Sequence, residues 1–162
     1  MHFSKLSRSE LLGMVAAAVL VVAVLLLTWY TLDDNPTRMK GEGFVCGTQQ
    51  FSCTGFETFP ILRWLLLAAA TAPFILAYIV VRGHTLSWAP GELTMVVGFT
   101  AFVLVAYNGL IDPPGAQTAE IGITKEVGYY VALIAAAGIA AAGIGRLMEE
   151  QGGGKRKTPG TV

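Results

Sequence analysis

The residues of this 162-residue chain that could do chemistry are two cysteines, two histidines and eleven carboxylates. Cys46 and Cys53 stand six residues apart in a segment that also holds Gly47, Phe44 and Phe51. Catalytic dithiols favour Cys-x-x-Cys, in which one thiolate is held at low pKa and its neighbour resolves the mixed disulfide. The wider interval here, with Gly47 allowing a turn between, reads instead as a structural disulfide in an oxidising compartment. Closing so short a loop stabilises it by about 2–3 kcal/mol in the chain-entropy model. A membrane thiol oxidoreductase is the competing reading, and it lacks the second outer cysteine pair that would pass electrons onward. The aromatic residues Phe44, Phe51, Phe56 and Phe59 flank the pair and suit a small apolar cap.

The other reactive groups are scattered. His2 and His84 fall on the opposite side of the predicted membrane from both cysteines, so no Cys–His couple or zinc cluster forms within one chain. Asp33, Asp34, Glu42 and Glu57 lack the spacing of a calcium loop and read as a solvated acidic surface. The sequence therefore predicts no catalytic, metal or cofactor site, and a protein that is not an enzyme. Arg63, Asn108 and Asp112, at the outer ends of apolar stretches, are the remaining candidates for a polar site.

The elements that must position these residues are apolar. Hydrophobic residues make up 54% of the chain and charged residues 14%, against about 25% charged in soluble domains. Four stretches, 11–29, 64–81, 93–111 and 127–145, contain no Asp, Glu, Lys or Arg. At 1.5 Å per residue each covers roughly 27–29 Å, close to a hydrocarbon core of about 30 Å. The expected fold is an all-α membrane protein, a four-transmembrane-helix bundle. Its spans lie at about 11–30, 63–82, 93–111 and 127–146, an outer loop covers 31–62, and a flexible basic tail covers 150–162. The first stretch is longer than a signal-peptide core and no small-x-small cleavage site follows it, so it reads as a retained anchor.

Basic residues orient the bundle. With both ends inside, the inner side carries seven basic and four acidic residues, and the outer side four basic and seven acidic. The expectation is N-in, C-in, in the plasma membrane. Lys155, Arg156 and Lys157 in the tail are placed to touch anionic headgroups.

Local signals refine this. Ser7 with Glu10 three residues later fits a capping box. Trp29, Tyr30, Trp64, Tyr78 and Trp88 sit where an interfacial aromatic belt would put them. Pro73 removes a hydrogen bond inside the second span. The fourth span carries a small-residue stripe, Gly128, Ala132, Ala136 and Ala140, and a second one at Ala137, Ala141 and Gly145, which let helix backbones approach closely. An ion or proton pathway declares itself by ionisable residues inside the membrane, and the four charge-free stretches contain none.

Two resemblances follow from these residues. The segments 6–12, 28–30, 55–61, 110–115 and 128–130 resemble a family of small four-span membrane proteins of actinobacteria. Where that family often has an acidic residue at the entry to the second span, this chain has Arg63. The layout is also similar to the claudin-type four-span proteins: Trp29 near the end of the first span, Gly43-Phe44 before the Cys46/Cys53 pair, and Arg63 entering the second span. The Gly-Leu-Trp of that motif is replaced here by Gly43-Phe44-Val45. The claudin layout implies strands in the outer loop and partners met through it. The combined expectation is a non-enzymatic accessory, scaffolding or self-assembling subunit, acting through its outer loop and small-residue helix faces. Its partners would be the bilayer and other membrane subunits or itself, with no nucleic acid and no cofactor. A passive channel or transporter of a small solute is the alternative.

Overall fold

The computed structural model describes residues 7–32, 52–82, 89–111 and 123–153. Their elements are α1 (Arg8–Leu25), β1 (Thr28–Leu32), β2 (Ser52–Thr54), a single-turn α2 (Gly55–Thr58), α3 (Leu62–Arg82), α4 (Pro90–Ala106), a π-helical turn (Tyr107–Ile111), β3 (Ile123–Lys125) and α5 (Val127–Gly153). Four of the helices are long and apolar enough to cross a membrane: Arg8–Leu25, Leu62–Arg82, Pro90–Ile111 with the π-turn included, and Val127–Glu149.

Each helix begins and ends for a local reason. The Ser7 side chain accepts from the Glu10 N–H, and the Glu10 carboxylate accepts from the Ser7 N–H at 2.9 Å, completing the capping box that opens α1. The sequence places the end of this span near Tyr30, but the helix stops at Leu25. Trp29 is the reason. It turns back so that its Nε1–H donates to the Ala23 carbonyl at 2.7 Å, satisfying one of the acceptors a helix C-terminus leaves open. The chain then continues extended as β1. At the far end of the molecule α5 runs on to Gly153, past the expected start of a flexible tail at 150.

α5 is the centre of the bundle and packs against both α1 and α4. Its contact with α4 is at backbone distance. A Cβ added at Gly98 would stand 2.3 Å from the Ala140 nitrogen, and one at Gly143 would stand 2.2 Å from the Met95 nitrogen. No side chain larger than hydrogen fits at either point, and close approach of this kind is how helices associate in lipid. The stripe Gly128, Ala132 and Ala136 also faces inward, with both alanines fully buried and Ala140 half-buried beneath Gly98. The second stripe differs: Ala137 and Ala141 are exposed, and Gly145 is half-buried beside Ser9.

The strands form one antiparallel sheet in the order β2-β1-β3 at the end of the bundle where α1 finishes and α5 starts. Tyr30 pairs with Cys53 on one side and with Lys125 on the other, and a bulge interrupts the ladder between Thr28 and Tyr30. The first loop thus carries short strands, as the layout suggested, and the second loop adds one to the same sheet.

Candidate functional site

Two clusters, one at each end of the bundle, hold the polar and aromatic residues that packing alone does not explain. The first is an aromatic cap under the sheet. Trp29 is completely buried and meets Phe59 and Tyr129 edge-to-face, with ring centroids 6.0 and 6.1 Å away. Tyr30 joins the group through Phe59 at 6.1 Å. Glycines make room for it. A Cβ at Gly55 would lie 2.5 Å from Trp29 Cε2, one at Gly128 2.5 Å from the Thr28 carbonyl, and one at Gly109 2.0 Å from Tyr129 Cε2. The interfacial-anchor reading of Trp29 and Tyr30 is thus replaced by a core role. Trp64 and Tyr78, at 59% and 55% exposed, keep the exposure of belt residues.

The Tyr30 and Tyr129 hydroxyls are buried and have no hydrogen-bond partner among the described residues. Burial, with Tyr129 nearby as the smaller cause, pushes the Tyr30 phenol well above the usual tyrosine range. It is therefore a neutral group at every ordinary pH and offers no acid–base chemistry there. Around the cap, Thr31 Oγ1 donates to the Glu126 carboxylate at 2.9 Å, tying β1 to the start of α5.

Arg63, at the beginning of α3, lies over the Phe56 ring at 4.5 Å and donates through Nη1 to the Phe56 carbonyl at 3.2 Å. Asn108 sits in the π-turn, and its amide donates to the Leu104 carbonyl of its own helix at 2.9 Å. No hydrogen bond or ion pair joins these two candidates among the described residues. Asn108 thus serves the end of α4, and Gly109 beside it is packed onto Tyr129. Cys53 is buried on β2. Cys46, Asp112, Lys155, Arg156 and Lys157 lie outside the described residues, as do Phe44, Phe51 and Trp88.

The second cluster lies at the opposite end, and sequence reasoning missed it. Glu10 of α1 and Arg146 of α5 form an ion pair, Oε1 to Nη1 at 2.6 Å, with only 10% and 18% of their side chains exposed. The approach is close but is not aligned as a hydrogen bond, and Glu10 Oε1 has no hydrogen-bond donor among the described residues. Arg146 Nη1 also donates to Ser7 Oγ at 3.2 Å. A cavity of about 20 Å³ lies against the pair, lined by residues of all four spanning helices, among them Gly13, Pro73, Thr94 and Ala142. That is room for about one water molecule. The sequence signal was available: Glu10 and Arg146 directly border the charge-free stretches 11–29 and 127–145. In antiparallel helices those borders meet at one level.

Chemically the two clusters are structural. One is a buried aromatic core, the other an ion pair between the first and last helices. No group of three or more His, Cys, Asp or Glu side chains that could hold a metal occurs among the described residues. No protein-family model, curated protein or solved structure matches the chain.

Proposed function

We propose that this protein is a non-enzymatic accessory or scaffolding subunit of the plasma membrane, which presents its outer loops to a partner from a rigid base. One observation carries the reading: the sheet does not hang from flexible connections but is built into the bundle. Trp29 is bonded to α1, packed on Tyr129 of α5 and bordered by Gly55 and Gly128. Such a base fixes the points where the loops leave and return, which lowers the ordering cost of binding a partner. The strands contributed by both loops support the claudin-type layout, in which partners are met through the outer face. In this reading both termini are cytoplasmic, and a Cys46–Cys53 disulfide closes the loop that ends at β2. The inward stripe of α5 is used within the bundle, which moves the weight of partner recognition to the loops.

The channel alternative asks for a wet path past Asn108. The amide bonded to Leu104 and the contact of Gly109 with Tyr129 count against one. The test is purification of the tagged chain from its native membranes under mild extraction, followed by mass spectrometry. A stoichiometric membrane partner, lost when residues 44–51 are replaced by a Gly-Ser linker of equal length, is the expected result. A lone chain with no partner overturns the proposal.

A further inference from the structure

On the membrane-facing side, α1 and α5 do not close fully on each other. A groove of about 650 Å³ runs between them, within the roughly 300–1,000 Å³ of small-ligand sites. Its floor is made of small residues, Ala16 from α1 with Gly138 and Ala142 from α5. A Cβ on Gly138 would stand 3.2 Å from the Ala16 Cβ, so the two helices already meet beneath the groove. Leu12 and Ile134, at 64% and 71% exposed, form its rims.

The polar lining is confined to one end, where Arg8 and Ser9 face Glu149. That end lies at the level where α1 begins and the spanning part of α5 finishes, the headgroup region of the leaflet on the side of the chain termini. The exposed Glu149 carboxylate lies beside the Ser9 and Ser7 hydroxyls and the Arg146 guanidinium. No ion pair joins Arg8 to Glu149 among the described residues, and Arg146, paired with Glu10, also acts on Glu149. The mouth therefore carries an exposed anion and a separate exposed cation. Along α1 the groove extends from Arg8 to Val19, about 16 Å of helix, which matches half of a hydrocarbon core of about 30 Å.

We propose that this groove binds one phospholipid with a zwitterionic, primary-amine headgroup. The phosphate lies at Arg8, the ammonium hydrogen-bonds to Glu149, and one acyl chain of that leaflet fills the apolar floor. A quaternary ammonium has no N–H to donate and an anionic headgroup has no cation for Glu149, so the site selects the ethanolamine type over choline or glycerol types. The inference is independent of the outer-loop proposal, since it uses the opposite end of the molecule and a different face.

The full-length chain is reconstituted in phosphatidylcholine nanodiscs that contain minor fractions of phosphatidylethanolamine and phosphatidylglycerol, and retained lipid is measured by native mass spectrometry. One phosphatidylethanolamine per chain is expected, with Arg8→Gln and Glu149→Gln each lowering its retention by about fivefold, the effect of one charge near a membrane surface. Ala141→Leu fills the groove from an exposed position and should abolish retention while leaving the circular dichroism spectrum unchanged. Equal retention of all three lipids, or no response to either charge substitution, overturns the proposal. So does copy-to-copy photo-crosslinking from position 15 that excludes lipid, which would assign the groove to a second copy.

Discussion

Tyr30 shows how a single side chain decides what the cap can do. Its ring is buried with Trp29 and Phe59, yet its hydroxyl has no partner among the described residues. An unpaired buried hydroxyl costs stability, so removing it should not be harmful. Tyr30→Phe is expected to leave thermal stability in detergent unchanged or to raise it by about 1 kcal/mol. A loss of more than that would mean the hydroxyl does have a partner in the membrane-embedded protein. The alkaline limb gives an independent check. Burial holds the folded phenol's pKa above its unfolded value near 10. A raised pKa contributes stability that is full below the unfolded value and is lost as pH rises toward the folded one. Stability should therefore be independent of Tyr30 up to about pH 9 and fall beyond pH 10, with a shallower fall in Tyr30→Phe. Tyrosinate absorbance followed alongside unfolding would show whether this phenol ionises only as the cap opens.

At the scale of elements, the packing of α5 separates glycines that a sequence cannot tell apart. Gly143 and Gly145 are two residues apart in the same apolar helix. A Cβ at Gly143 would sit 2.2 Å from the Met95 nitrogen, whereas one at Gly145 would find Ser9 Cβ at an ordinary 3.6 Å. Gly143→Ala must push α4 away and should cost about 1–3 kcal/mol, while Gly145→Ala should fall within about 0.5 kcal/mol of the parent. Unfolding of the two variants in one detergent makes the comparison, and equal losses would refute the α4–α5 contact. The ion pair is an element-scale feature too, because it joins the first helix to the last. Glu10→Gln takes the Glu10 charge away from a mostly buried guanidinium and should cost about 3 kcal/mol, near the lower end for a buried pair. Combining it with Arg146→Met should recover most of that loss. A double-mutant cycle that gives no coupling would reassign Glu10 to capping alone. Charge-free runs of the right length made the four spans legible in the sequence, and Ser7 with Glu10 made the first cap legible. The early stop of α1 was not, because it depends on Trp29 folding back onto Ala23. Nor was the Glu10–Arg146 pair, because counting charges within a span overlooks two that border different spans and meet only when those spans pack. Gly98 was invisible for the same reason: it matters only because Ala140 lies opposite.

For the molecule as a whole, the inter-helix contacts constrain how the chain threads the membrane. Ser9 lies against Gly145, Gly13 against Ala142 and Ala16 against Gly138, so α1 and α5 run antiparallel along their shared length. Glu10 reaches Arg146 at one end, and Trp29 reaches Tyr129 and Gly128 at the other. The start of the first span and the end of the last therefore share one side of the bilayer, and the sheet lies on the other. In the proposed orientation the first of these sides, with its excess of basic residues, is the cytoplasmic one. Small epitope tags at both termini should accordingly be protected from protease in intact cells and exposed together once the membrane is opened. A tag inserted between residues 115 and 120, in the loop that leads to β3, should show the opposite pattern. Tags at the two ends with different accessibility would require an odd number of crossings, and one of the four apolar helices would then have to lie in the interface. The buried contacts of α1 and α5 with the other helices argue against that, because an interfacial helix buries one face in lipid and leaves the other in water. Here Leu20 and Val24 of α1 and Ile139 of α5 are buried in protein, while Leu12, Val22, Ile134 and Ile144 on their other faces are apolar and exposed. Helices with apolar residues on both faces are at home only where lipid replaces water, and four of them in antiparallel sequence return the chain to the side on which it started.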